Sequence, residues 1–400
     1  MGLSLVLWDC TEDRKSLLPL VATRPVGNLR VGAFTLDQKW SSVFQSDVSY
    51  LTVDQLSTKF PLAPLQYEVL VIQAAILPDA ELVAALARLQ SRERLIDTEG
   101  NWIAFKTYST SKEDIIRDCT SSSFELVNYS GVLKALHHLE DIFIHNAAQI
   151  DFDAAYITFE PTSPTNSHVS VIGNRHHIAA SAQLASCTLH TDKGSIIIEE
   201  NAVVEAGCVI HGPAVIGKNS RVKAGAVIYP NVTVGDNSTV GGELNNTVIW
   251  GNSAKGHYGY LGCAVLGEGC NLGAGTSNSN LKNDWSPVKL YSYKDNNYRD
   301  TGLLKCGVFI GDHSMLAIAS KITTGSVIGV GTQIAMSNFI PNFVQDFSWL
   351  TDTKAEKYIF TKFVDMMERK AQAKGEIFTD VDKEILYYIY TENRDNKKLN

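Results

Sequence analysis

The chain has 400 residues, too many for a single hydrophobic core, so we expect two domains and an additional segment. With 44% hydrophobic and 20% charged residues it has the composition of a soluble globular protein, and its net charge of −8 argues against a broad nucleic-acid-binding surface. No apolar run reaches the roughly 18 residues of a membrane span, and the seven dispersed cysteines include no CxxC pair. We therefore expect a cytoplasmic protein without a signal peptide, a membrane anchor or a disulfide framework.

Residues 1–150 form the first predicted domain. Short aliphatic strands such as Leu3–Leu7 and Val69–Ile72 alternate with helical patterns such as Asp79–Leu89 and Gly131–Phe143. This alternation is typical of an α/β domain.

A six-residue period dominates the second predicted domain, residues 151–345. The period places a branched aliphatic residue at Ile198, Val204, Ile210, Ile216, Val222, Ile228, Val234 and Val240, and later at Leu266, Leu272, Ile310, Leu316, Ile322, Ile328 and Ile334. The residue four places further on is mostly small, as at Ala202 and Ser220, with Leu244 in that place after Val240. This hexapeptide repeat predicts a left-handed parallel β-helix, in which aliphatic side chains stack inward and small residues turn the corners.

The repeat is interrupted between Thr276 and Ile310. Polar runs at Asn280–Asp284 and Lys294–Asn297 replace the aliphatic positions there. A loop that leaves a solenoid often carries its function, so we expect functional residues near this excursion.

Residues 346–400 form a predicted C-terminal helical tail. Tyr358–Ala373 and Thr379–Asn393 have helical patterns, and Gly375 separates them. We expect a helical hairpin with Asp380 as the cap of its second helix.

The segment around His257 has the residues needed for acyl transfer. An amine that attacks a thioester must lose a proton, and a positioned imidazole is suited to accept it. The tetrahedral intermediate needs hydrogen-bond donors, and a backbone N–H of the glycine-flanked turn at Ala274 is a candidate. These residues predict an acyltransferase with His257 as general base.

Three motifs follow one another in the order Lys255–Gly262, Leu272–Thr276 and Asn280. Together they resemble the acetyltransferase domain of the bifunctional UDP-N-acetylglucosamine pyrophosphorylase/glucosamine-1-phosphate N-acetyltransferase family. Val240–Glu243 and Arg24–Gly32 are similar to segments of an alternative bacterial branch that carries the same two activities. The resemblance implies an acetyl-CoA-dependent N-acetyltransferase that acts on an amino-sugar 1-phosphate in nucleotide-sugar biosynthesis.

The same resemblance implies roles for individual residues. Tyr260 and Asn280 correspond to sugar-binding positions, and Glu243 to a residue that orients the amine or the base. Lys223 stands where the family has a phosphate-binding arginine, and a lysine offers phosphate a point charge instead of a bidentate fork. Leu281 replaces the family's tyrosine after Asn280, a departure that concerns the sugar more than the reaction.

The resemblance also implies a cofactor site and an assembly. Coenzyme A is expected near Ala274 and along a groove near Gly311 and Gly329, between neighbouring solenoids. Solenoids of this type pack side by side through their flat faces, so we expect a homotrimer. Asn245 or Asn246 replaces a second phosphate-binding lysine of the family, and this departure again concerns the sugar more than the reaction.

For the first domain, the resemblance implies a Rossmann-like sugar nucleotidyltransferase fold. The glycine-rich phosphate loop of that class is absent, because Trp8–Arg14 stands in its place. The strand Val69–Ile72 is also not followed by a metal-binding aspartate. Arg14, Arg24 and Arg30 are candidate phosphate contacts, and Mg²⁺ is required only if this domain is active. Nucleotidyl transfer stays open at this point.

Two other interpretations concern binding without catalysis and metal binding. The chain could be a non-catalytic or single-activity sugar-nucleotide-binding or assembly protein. Trimeric solenoids of the γ-carbonic anhydrase type bind zinc through three histidines, two of them in a His-x-x-x-x-His pair. The sequence has no such pair among its candidate histidines, which are His176, His177, His190, His211 and His313. We therefore expect no metal site.

Overall fold

The computed structural model describes residues 2–66, 68–158 and 168–392. The chain divides into two compact units. The first comprises the residues up to Leu17, with Thr23–Leu29 and Phe34–Asp141; the second comprises Leu18–Ala22, Arg30–Ala33 and the chain from Ile142 onward.

The first unit contains a six-stranded sheet with the order β2-β1-β3-β5-β4-β6. Its strands are β1 (Leu3–Trp8), β2 (Val48–Leu51), β3 (Glu68–Gln73), β4 (Glu93–Ile96), β5 (Trp102–Thr107) and β6 (Glu125–Asn128). Strands β1, β2 and β3 are parallel, whereas β5 runs antiparallel to β3 and β4. Its helices are α1 (Thr11–Leu17), α2 (Leu36–Phe44), α3 (Asp54–Ser57), α4 (Ala80–Arg88) and α5 (Lys112–Thr120), with a 3₁₀ turn at Val26–Asn28. The predicted α/β class and the strands around Leu3 and Val69 are confirmed.

The predicted helix over Gly131–Phe143 is wrong. The next helix, α6, spans Asp141–Asp153. The residues before it are extended, since Ala135 bridges Ile76 and the Leu136 N–H donates to Ala75 O at 2.9 Å. The Asp141 carboxylate then accepts the His137 and His138 N–H groups, each at 2.8 Å, and so fixes where the helix begins. Tertiary pairing outweighs helix propensity in this segment.

The second unit is dominated by a parallel β-solenoid with three faces. The first face stacks Ser170–Ile172, Thr188–His190, Val209–His211, Val227–Ile228, the starts of Glu243–Ile249 and Tyr260–Leu266, then Ser277–Asn278, Lys321–Ile322 and Phe339–Ile340. The second stacks His176–Ile178, Ile196–Ile198, Ala214–Ile216, Val232–Val234, the ends of the same two long strands, Val308–Ile310, Ser326–Ile328 and Phe343–Val344. The third stacks Gln183–Leu184, Val203–Val204, Arg221–Val222, Thr239–Val240, Ala254–Lys255, Asn271–Leu272, Met315–Leu316, Gln333–Ala335 and Ser348–Thr351, closed by antiparallel Ala355–Lys357.

The left-handed β-helix predicted from the hexapeptide repeat is confirmed. Every aliphatic of the first run, from Ile198 to Val240, is fully buried in one continuous core. Leu244 was predicted at a corner but points inward on the first face, opposite Leu261. The reason is that the corner before it is two residues shorter than its neighbours, so the six-residue register shifts there.

Helices pack against the solenoid at two places. Phe143 of α6 stacks on Phe309 with ring centroids 6.0 Å apart, and a 3₁₀ turn at Ala154–Tyr156 follows the helix. The C-terminal hairpin consists of α7 (Phe360–Lys374) and α8 (Asp380–Glu392), as predicted, and Phe363 packs edge-on against Phe347 at 5.0 Å.

The predicted cap of α8 is wrong by one residue. Thr379 and Asp382 form a capping box, in which the Asp382 N–H donates to Thr379 Oγ1 at 3.2 Å and the Thr379 N–H donates to Asp382 Oδ2 at 2.8 Å. Asp380 is the first helical residue. Within the described parts of the chain, no helix has the length and apolarity needed to cross a membrane.

Candidate active site

The edge between the third and first faces contains one unusually short corner. Four residues connect the strands at Lys223–Ala226 and again at Gly256–Gly259. Between those two corners, Gly241 and Gly242 alone connect Val240 to Glu243. Gly242 has φ +76°, and a Cβ on it would lie 2.7 Å from Gly259 O, so the tight stacking of this corner requires glycine.

The short corner brings Lys223 close to the backbone beside His257. A Cβ placed on Gly256 would lie 3.7 Å from Lys223 Cε and 3.8 Å from Lys223 Nζ. The Lys223 side chain therefore reaches across the short corner to the corner that carries His257. Gly256 precedes His257, whose side chain is exposed, so Lys223 lies beside the corner that presents the imidazole to solvent.

A buried lysine lies beneath the His257 corner. Lys255 is 1% exposed, and its Nζ donates to His257 O at 2.6 Å and to Gly241 O at 3.1 Å. Burial lowers the pKa of Lys255 to about 8. The hexapeptide period does not predict Lys255 as an inward residue, because two shortened connections shift the register by three residues before it pairs with Val240.

Glu243, Tyr260 and Asn280 lie on the first face, next to the same edge. Glu243 is exposed and pairs in register with Tyr260 on the next strand. The Asn280 amide donates to Tyr260 Oη at 3.0 Å and contacts Cys263 Sγ at 3.4 Å. Burial raises the pKa of the Tyr260 hydroxyl, so it is neutral near pH 7 and available for hydrogen bonding.

Ala274 lies on the next corner along the His257 edge. Its carbonyl accepts the Ala319 N–H at 2.7 Å, and the adjacent Gly275 N–H donates to Tyr258 O at 3.0 Å. The corners that carry His257 and Ala274 are thus bonded to each other. His257, Lys223, Glu243, Tyr260 and Ala274 therefore lie on neighbouring coils along this edge.

Gly311 and Gly329 lie elsewhere, at the edge between the second and third faces. Both are buried, and a Cβ would lie 2.8 Å from Val330 N at Gly311 and 2.4 Å from Asp346 N at Gly329. Close stacking of successive coils accounts for glycine at these positions. Within one chain, Gly311 and Gly329 therefore lie on a different edge of the solenoid from His257.

The excursion from the solenoid forms a cleft on the side of Asn280. Its strands Lys289–Ser292 and Asn297–Asp300 form an antiparallel hairpin, and Tyr291 stacks on Phe343 of the solenoid at 3.6 Å. The cleft has a volume of about 720 Å³. Its lining includes Ser279, Leu281, Lys282, Lys289, Tyr298 and Phe339. Two lysines and two exposed aromatic rings thus face one cavity beside Asn280.

Two of the three arginine candidates lie in the first unit and one lies in the second. Arg14 is buried and pairs with Asp9 at 2.7 Å, and it also donates to Arg24 O at 3.1 Å. Arg24 donates to Asn28 Oδ1 at 3.3 Å. Arg30 belongs to the second unit, where it donates to Ala33 O. The place of the missing glycine loop is therefore closed by an internal ion pair between Asp9 and Arg14.

Among the described residues, no group of three or more His, Cys, Asp or Glu side chains is arranged to hold a metal ion. His190 and His211 lie on adjacent strands of the first face with their rings stacked 4.4 Å apart. Tyr229 continues this row, 6.0 Å from His211. The row is an aromatic ladder on the outer surface.

Comparison with protein families finds a match in each part of the chain. Residues 5–161 match the model of the sugar nucleotidyl transferase family. Residues 195–229 and 213–243 match the bacterial transferase hexapeptide model, which describes six repeats. The chain is therefore similar to sugar nucleotidyl transferases over its first part and to transferase hexapeptide proteins over part of the solenoid.

Curated relatives match about a third of the chain. The bifunctional protein GlmU of Methanocaldococcus jannaschii is 33% identical over 120 residues, 30% of this chain and 28% of that protein. The bifunctional sugar-1-phosphate nucleotidylyltransferase/acetyltransferase of Sulfurisphaera tokodaii is 35% identical over 144 residues, 36% of this chain and 35% of that protein. The chain thus matches no more than about a third of the length of these relatives. Among solved structures, the UDP-N-acetylglucosamine acyltransferase of Francisella novicida covers 56% of this chain and 87% of its own, with 17% identity and a TM-score of 0.28.

Proposed function

We propose that the solenoid transfers an acetyl group from acetyl-CoA to the amine of an amino-sugar 1-phosphate. The observation that carries the proposal is that Lys223 reaches across the short corner to Gly256, the residue before the exposed His257, with Tyr260 and Asn280 on the adjoining face. The relative from Sulfurisphaera tokodaii, whose name includes acetyltransferase, supports the same reaction class.

The residues at this edge have complementary tasks. His257, exposed at its corner, accepts the proton that the attacking amine loses. Lys223 contacts the sugar phosphate with its ammonium group, and Tyr260 and Asn280 bind the sugar hydroxyls. Glu243, beside Tyr260, orients the amine. The glycine-flanked Ala274 corner supplies a backbone donor to the oxyanion.

Acetyl coenzyme A supplies the activated acetyl group as a thioester. The cleft beside Asn280 fits its distal part better than the buried Gly311 and Gly329 do. Lys282 and Lys289 offer positive charge to phosphates, and the exposed rings of Tyr298 and Phe339 offer surfaces on which an adenine can stack. Its volume of about 720 Å³ is within the usual range of ligand sites.

The test is thiol release from acetyl-CoA in the presence of glucosamine 1-phosphate. Wild type should release thiol, and His257→Ala should lower the rate by about 10²–10⁴-fold, the usual contribution of a general base. His190→Ala is the matched control, because it removes an imidazole from the same face several coils away. Wild-type turnover in His257→Ala would refute the mechanism, and no release by the wild type would refute the acceptor.

The assembly proposed for the solenoid is a homotrimer. The solenoid has flat faces, and the first face presents the site on its outer surface, where a neighbouring chain can complete it. Light scattering at micromolar concentration should give three times the 43.8 kDa chain mass. A monomeric mass would exclude this assembly.

A second candidate activity is sugar-1-phosphate nucleotidyl transfer by the first unit. It is favoured by the family match over residues 5–161 and opposed by the Asp9–Arg14 pair that closes the place of the phosphate loop. Pyrophosphate release from UTP and a sugar 1-phosphate with Mg²⁺ tests it. No release would leave this unit with a binding or assembly role.

A further inference from the structure

Lys255 interrupts an otherwise aliphatic row in the core of the solenoid. The inward residues of the third face include Val204, Val222, Val240, Lys255, Leu272, Leu316 and Ile334. All are at most 2% exposed, and Lys255 alone among these seven carries an ionisable group. An amine is costly to bury, so its two hydrogen bonds must offset a substantial desolvation penalty.

The lysine compensates for missing side chains at two successive corners. Four-residue corners of this edge place a small buried side chain just before the first face, such as Ala226 and Thr276. The Gly241–Gly242 corner has no such residue, and the Gly256–Gly259 corner ends in glycine. The Lys255 side chain reaches the two corners from below, and its Nζ binds one carbonyl in each.

We propose that Lys255 is a positioning residue for His257 in the acyl transfer. The inference rests on the proposed function and on the contact of the Lys255 ammonium with the His257 carbonyl at 2.6 Å. The His257 corner projects into solvent, and this internal hydrogen bond holds the peptide that carries the imidazole. Without it, two buried carbonyls lose their donor, and the corner must rearrange to reach water.

The experiment compares Lys255→Met with wild type, using Leu272→Met as the control for a change at the neighbouring inward position. We expect kcat for acetyl transfer to fall about 10- to 100-fold in Lys255→Met, the usual effect of a misplacement of about 1 Å, with KM for the sugar phosphate nearly unchanged. Hydrogen–deuterium exchange should rise in the peptide that covers residues 256–262 and stay unchanged over residues 221–228. Leu272→Met should show neither effect.

Lys255→Gln keeps an N–H donor and serves as the rescue variant. It should recover part of the exchange protection that Lys255→Met loses. The inference would be overturned if Lys255→Met kept the wild-type kcat and the wild-type hydrogen–deuterium exchange. It would also be overturned if Lys255→Gln matched Lys255→Met in both kcat and exchange. Hydrogen–deuterium exchange does not depend on turnover. If the wild type is inactive but the variants show the expected exchange pattern, the proposed sugar-phosphate acceptor is refuted and the positioning role of Lys255 is retained.

Discussion

Because its amine is buried, Lys255 makes the free energy of unfolding of the solenoid depend on pH. A single substitution at this position removes that contribution to the pH dependence. The pKa of the Lys255 amine is about 8 in the folded protein and 10.5 in the ordinary, solvated state. The unfolded chain therefore binds this proton more tightly than the folded chain between about pH 8 and 10.5. Stability must then rise with pH across this window, since the native state no longer bears a buried charge.

The expected magnitude follows from the two pKa values. Their separation corresponds to about 3 kcal/mol, at about 1.4 kcal/mol per pH unit. Lys255→Met has no proton to lose, so wild type should gain up to about 3 kcal/mol relative to this variant as the pH rises from about 7.5 to 10.5. Lys223, near Gly256, and His257 face the same corners and are present in both proteins.

Urea unfolding followed by far-UV circular dichroism, at a series of pH values, measures this difference. Subtracting the curve of Lys255→Met from that of wild type cancels the titration of the other groups, including the cysteines and tyrosines whose pKa values burial raises. Leu272→Met should run parallel to wild type. Parallel curves for wild type and Lys255→Met would mean that the Lys255 amine is solvated, and the argument from its burial would fail.

Three further predictions concern both units. Asp9→Ala leaves the buried Arg14 guanidinium without its carboxylate and should destabilise the first unit by about 3–5 kcal/mol. A lower midpoint of urea unfolding would show this loss. An unchanged midpoint would mean that the ion pair does not contribute to stability. Lys223→Ala should raise KM for the sugar phosphate about 10- to 100-fold, which is the loss expected for a hydrogen bond to a charged group. The control Lys218→Ala removes a lysine from another edge of the solenoid and should leave KM unchanged. Equal effects of the two substitutions would mean that the phosphate binds elsewhere. Asn280→Ala should lower kcat/KM about tenfold, because Tyr260 Oη loses its donor, and unchanged kinetics would remove Asn280 from the site.

The sequence by itself determined the solenoid, its excursion and the identity of the residues at the His257 edge. Inward side chains of a hexapeptide solenoid recur at a fixed spacing, so the aliphatic run from Ile198 to Val240 specifies the coil without reference to distant contacts. The motifs from Lys255 to Asn280 lie on adjacent coils for the same reason, since residues one coil apart in sequence are neighbours in space.

The tertiary structure decided what depends on contacts between distant segments. The extended segment before α6 follows from the pairing of Ala135 with Ile76, which no local pattern shows. The role of Lys255 depends on two shortened connections, the two-residue corner at Gly241–Gly242 and the step from Leu244 to Thr247, which is one residue shorter than its neighbour on the preceding coil. Together they shift the register by three residues and turn a lysine into the core. Gly311 and Gly329 fit a ligand groove by sequence, yet each lies against the backbone of the next coil. A periodic sequence predicts which residues point inward within a regular run, but the length of each connection between faces decides where that register shifts.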